Sequence, residues 1–106
     1  MKITIKDKSY ETGRLVIAHA MEAMILDKKN QKGEISELEA LYKMIEILAE
    51  SLINGTEKIP YDEITLEKKE AYSKLIINNF SMQDINPIYA FLVSEMAGNT
   101  QDDSGK

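Results

Sequence analysis

The chain has 106 residues, 43% of them apolar, and its 13 basic and 18 acidic side chains leave a net charge of −5. That supplies a folded core for one domain, expected over residues 1–97, and the negative balance disfavours nucleic acid and anionic membrane surfaces. With no Cys and one His, disulfides, thiolate chemistry and any site that needs two imidazoles are excluded.

Residues 1–12, MKITIKDKSYET, set β-branched Ile3, Thr4 and Ile5 before a polar Lys6-Asp7-Lys8-Ser9 stretch that leads to Tyr10. This pattern predicts a short β-hairpin with Ile3 and Ile5 on one face, in need of an apolar cover because an isolated hairpin is marginal in water. From Gly13 the period becomes helical. Leu15, Val16, Ala18, His19, Met21, Ala23, Met24, Ile25 and Leu26 make a first helix apolar over more than half its circumference, closed by the polar run Asp27 to Gly33.

A second helix is expected from Glu34 to Asn54, with Leu38, Leu41, Ile45, Leu48 and Leu52 at three- and four-residue steps and Asn54-Gly55 as its stop. Residues 56–62, with Pro60 among them, read as a loop. Thr65 is a suitable N-cap for a third helix carrying Leu66, Tyr72, Leu75, Ile76 and Phe80. Asn86-Pro87 reads as an N-cap followed by proline in the first helical position, opening a last helix through Met96 that Gly98 ends. Residues 98–106 hold no apolar side chain and are expected to be a disordered tail. The fold class is therefore mainly α: a small domain of about four helices with a short N-terminal β-hairpin. The longest unbroken apolar run, Ile88 to Val93, falls far short of the ~20 residues of a membrane span, and no signal-peptide core precedes it. A soluble cytoplasmic protein is expected.

The residues offer little to catalysis. Glu34, Glu37 and Glu39 sit where negative charge complements a helix N-terminus. Glu46 and Glu50 lie one turn apart without a third ligand at metal-binding spacing. His19 falls beside Leu15 and Ala23 on the first helix and reads as a packed structural histidine. No serine lies in a nucleophile elbow and no glycines form a phosphate loop, so no enzyme activity, metal or cofactor is expected. Lys2, Lys6 and Lys8, and Lys28, Lys29 and Lys32, read as solvated edges; the acidic start of the second helix argues against a DNA-reading helix.

The apolar surface is more informative. The Leu38 to Leu52 repeat fits either a short coiled-coil seam or the core of a bundle. Added to the Ile3/Ile5 face and the broad first helix, it gives more apolar surface than one small core obviously needs, and six methionines supply adaptable contact area. The sum points to a protein partner.

An acidic chain that opens M-K-I-T-I, turns through lysines to Tyr10 and continues as a helical body with a polar tail resembles the tail assembly chaperones of long-tailed bacteriophages and prophages. The resemblance implies a non-enzymatic chaperone in the host bacterial cytoplasm. It would coat the hydrophobic helical tape-measure protein until tail-tube subunits polymerise around it. It also implies self-association through the hairpin edge or the apolar helices, and a longer product made by frameshifting near the end of the short form. Contact residues would come from Leu15, Met21, Met24 and Leu26 on the first helix and Ile88, Phe91, Leu92 and Met96 on the last. The alternative is a small regulatory or adaptor protein that binds one protein partner.

Overall fold

The structure, a computed structural model, describes residues 1–96; the tail expected at 98–106 lies outside the described residues. It is mainly helical, with an antiparallel hairpin of β1 (Lys2–Ile5) and β2 (Lys8–Glu11) followed by α1 (Ile17–Gln31), α2 (Glu37–Glu57), α3 (Leu66–Asn79) and α4 (Met82–Met96). A single 3₁₀ turn, Tyr61–Glu63, lies between α2 and α3.

The hairpin closes on two residues only. Lys6 and Asp7 both have positive φ, 50° and 66°, as a two-residue turn of the primed type requires to match strand twist. The register pairs Ile3 with Tyr10 and puts Ile3, Ile5 and Tyr10 on one buried face, with Thr4 and Ser9 exposed. The cover is the helical layer: these three side chains join Leu48, Leu52, Ile76, Ile85 and Leu92 in one contiguous core.

Four helix boundaries differ from the sequence expectation, three because contacts remote in sequence claim the backbone or the helix face and one, the start of the second helix, because a local cap sets it. The first helix starts at Ile17, and 13–16 stays outside it, because Gly13 N–H donates to the Ser51 carbonyl (2.8 Å), Ser51 Oγ donates to the Gly13 carbonyl (2.8 Å) and Tyr61 OH donates to the Arg14 carbonyl (2.8 Å). Those groups are committed to α2 and the loop after it. The second helix starts at Glu37 behind a reciprocal box, in which Ser36 Oγ accepts from Glu39 N–H and Glu39 Oε1 accepts from Ser36 N–H, both at 3.1 Å.

That helix also runs through Asn54-Gly55 to Glu57 and ends on Lys58 in the left-handed conformation, φ 60°. Gly55 is a point of close approach and not a stop: a Cβ there would overlap the Glu11 carbonyl oxygen and sit 2.6 Å from the Gly13 nitrogen. By contrast Gly33, φ 72°, does end α1, with Glu34 N–H donating to the Lys29 carbonyl at 2.8 Å.

The last helix begins at Met82, not at Asn86-Pro87. Ser81 Oγ accepts from Asp84 N–H and Asp84 Oδ2 accepts from Ser81 N–H, a cap placed five residues earlier than the proline suggests. Ile85, Ile88 and Leu92 are all buried, so one face must run unbroken past position 87; Pro87 is exposed and costs the helix one hydrogen bond on its solvent side. Thr65 caps α3 as expected, its Oγ1 accepting from Lys68 N–H at 3.2 Å.

Candidate protein-binding surface

Helix α2 changes character along its length. From Ile47 to Ile53 every residue but Glu50 is buried, with Leu48, Leu52 and Ile53 at 0% exposure. The first two turns continue the same apolar spacing into solvent: Leu38 is 75% exposed and Tyr42 52%. Beside them lies an open groove of about 580 Å³ lined by Leu38, Glu39, Tyr42 and Ile45 of α2, Ile77 of α3, Phe80, and Met82 of α4. Ile77 and Met82 are each about half exposed. A second apolar surface lies on α1, where Ile17, Met21 and Met24 repeat at i, i+4 and i+7 with exposures of 78%, 58% and 64%.

Polar chemistry holds α1 with this stripe outward. His19 is buried; its Nδ1 accepts from Val16 N–H (3.2 Å), which fixes the tautomer that carries hydrogen on Nε2, and Nε2 donates to Glu50 Oε1 at 2.8 Å. Val16, at the N-cap, has no side-chain acceptor of its own, so His19 one turn on takes the reciprocal capping role. Lys69 of α3 reaches the other Glu50 oxygen at 3.3 Å, and the Tyr61 ring meets the imidazole edge-on at 4.6 Å. The hydrogen bond from His19 holds the Glu50 carboxyl below its usual range in spite of partial burial, with Lys69 adding to it. Burial pushes the Tyr61 hydroxyl up to about 12. With both imidazole nitrogens engaged, the cluster ties α1, α2 and α3 together. Among the described residues no group of three or more His, Asp or Glu is placed to hold a metal ion.

Of the contact residues expected from sequence, Leu15, Ile88 and Leu92 are corrected: they are 5%, 8% and 1% exposed and belong to the core, because the hairpin and α2 claim the faces they occupy. Met21, Met24 and Phe91 are exposed. Leu26 is half-buried in the cleft between α1 and α2, and the Met96 side chain lies outside what the structure describes. Leu38, Tyr42, Ile77 and Met82 carry the groove and were not among the expected contacts.

No helix among the described residues is long and apolar enough to cross a membrane. Comparison with known proteins finds no matching family model, no matching curated protein and no matching solved structure.

Proposed function

We propose that this chain works by binding: it holds an apolar client helix in the groove between α2 and the α3–α4 corner, as a tail assembly chaperone would hold its tape-measure protein. The observation that carries the reading is the groove itself. Its lining is apolar except for Glu39, it is open to solvent, and it lies on an acidic body whose net charge of −5 keeps a loaded complex dispersed. A helix with side chains at i, i+4 and i+7 matches the Leu38–Tyr42–Ile45 edge, the helix-in-groove mode of recognition. Because the exposed contacts are few, affinity is modest, which suits a chaperone that must later release its client.

Co-expression with a tape-measure protein tests this. The wild-type chain is expected to keep the client soluble and to co-purify with it, and Tyr42→Glu is expected to lose both effects while retaining its helical circular dichroism and melting temperature. Equal solubilisation by Tyr42→Glu, or none by the wild type, removes the groove from the function.

A further inference from the structure

We propose that β1 is a docking edge for a third strand, supplied by an extended acidic segment of a partner protein. The bonding phase of the hairpin fixes which backbone groups look outward. Thr12 N–H donates to the Met1 carbonyl at 3.0 Å, and the register with its two-residue turn continues that exchange at Ile3 with Tyr10 and at Ile5 with Lys8. The residues between them, Lys2 and Thr4 on β1 and Ser9 and Glu11 on β2, therefore point their N–H and C=O groups away from the neighbouring strand.

The two edges meet different surroundings. On β2, Thr56 of α2 takes both outward groups of Glu11, the N–H at 2.9 Å and the carbonyl at 3.2 Å. On β1, the outward groups of Lys2 and Thr4 have no partner among the described residues, and both residues are exposed. Alongside this edge an open cleft of about 230 Å³ is lined by Ile3, Thr4, Asn79, Phe80, Asp84 and Ile88. A free strand edge beside such a cleft is how a sheet accepts an extended peptide: main-chain bonds hold it, and alternate side chains enter the cleft. The Asp84 carboxylate is committed to the α4 cap, accepting from Ser81 N–H (2.8 Å) and Oγ (3.1 Å). Of the client groove's lining, this cleft shares only Phe80.

Charge names the occupant. Lys2 and Lys6 stand at the two ends of the edge, exposed and without an ion pair among the described residues, and Asp7 lies beyond them in the turn. Glu11, opposite Lys2 in the register, gives its carboxylate to the Met1 ammonium at 3.2 Å. Opposite charges on neighbouring strands stabilise their pairing, and like charges oppose it. A second copy's β1 laid along this edge in register sets lysine beside lysine, so the edge turns away its own kind. A segment that alternates acidic and apolar residues instead places carboxylates beside the lysines and an apolar side chain in the cleft.

The test uses the full chain and two blocked peptides, one alternating valine with glutamate and one alternating valine with lysine, followed by NMR titration and amide hydrogen exchange. The glutamate peptide is expected to bind roughly tenfold more tightly than the lysine peptide and to slow exchange at the Lys2 and Thr4 amides. Thr4→Pro removes an outward N–H and leaves the β1–β2 bonds intact, so it is expected to keep the melting temperature and lose the peptide. The double variant Lys2→Glu with Lys6→Glu is expected to reverse the preference, and it decides the question even where Thr4→Pro weakens the hairpin. Equal binding of the two peptides, binding of neither, or binding that leaves exchange at Lys2 and Thr4 unchanged overturns the proposal. So does a free chain that is already dimeric with those two amides protected. No readout involves the client, so the outcome is independent of the chaperone reading.

Discussion

The two halves of α2 carry one sequence pattern and meet opposite fates. Both place Leu and Ile at three- and four-residue steps, yet Leu48 and Leu52 are sealed while Leu38 is three-quarters exposed. The difference lies in what else each half offers. The C-terminal half interleaves polar groups that fasten the N-terminal ribbon: Ser51 bonds Gly13, and Thr56 Oγ1 both accepts from Glu11 N–H (2.9 Å) and donates to the Glu11 carbonyl (3.2 Å). The N-terminal half carries Glu37 and Glu39 instead, of which Glu39 bonds its own cap, and its Leu38–Tyr42 edge stays exposed. Apolar spacing alone thus marks a face that wants to be covered; the small polar residues between decide whether the chain covers it itself.

The largest test of this contrast is Leu48→Ala. A fully buried leucine in a contiguous core is expected to cost about 2–5 kcal/mol, a large part of the ~5–15 kcal/mol that a small domain has in total. Urea denaturation reads it as a fall in midpoint at constant slope.

Gly55→Ala comes next. In an ordinary helix interior this change stabilises by about 1 kcal/mol, but here the new methyl meets the Glu11 backbone, and a net loss of about 1–3 kcal/mol is expected. The sign is the informative part. A stabilised Gly55→Ala would show that the hairpin exit does not press on α2 in solution.

Acid should act on the same half. The folded chain holds the Glu50 carboxyl below the usual carboxylate range through the His19 hydrogen bond, and Glu57 below it through hydrogen bonds from Lys68 and then Tyr72. In both cases the unfolded chain takes up the proton first as pH falls. The stabilisation is therefore whole above about pH 5 and is lost as the pH drops through the lowered folded values. Urea midpoints between pH 7 and pH 3 are expected to fall less steeply below pH 5 in Glu50→Gln than in the wild type.

These tests bear on what could be read from residues alone. The hairpin, the Thr65 cap and the four helices were legible because β-branched runs, cap residues and apolar periodicity are local properties. The beginnings of α1 and α4 and the end of α2 were not, since each depends on a contact remote in sequence: Gly13 with Ser51, the Ile85–Ile88–Leu92 face with the core, Gly55 with Glu11. His19 was legible as structural, but its partner Glu50, 31 positions away, was not. For the same reason Leu15, Ile88 and Leu92 read as contact surface and the Leu38 to Leu52 repeat as either seam or core: periodicity says which residues share a face and not what lies opposite.

The smallest expected effect is the most discriminating. Leu38→Ala removes a side chain that stays mostly in water in both the folded and unfolded states, so little transfer free energy is lost, and alanine is the better helix former. Stability of the dilute chain is expected to change by no more than about 0.5 kcal/mol. The same substitution strips the groove edge, so client binding should weaken even though the fold does not. Titrated with the client, the wild type should gain melting temperature by mass action while Leu38→Ala gains less. A loss well above 1 kcal/mol in the dilute chain would mean that Leu38 is already covered within one copy, and the two halves of α2 would then differ in degree only.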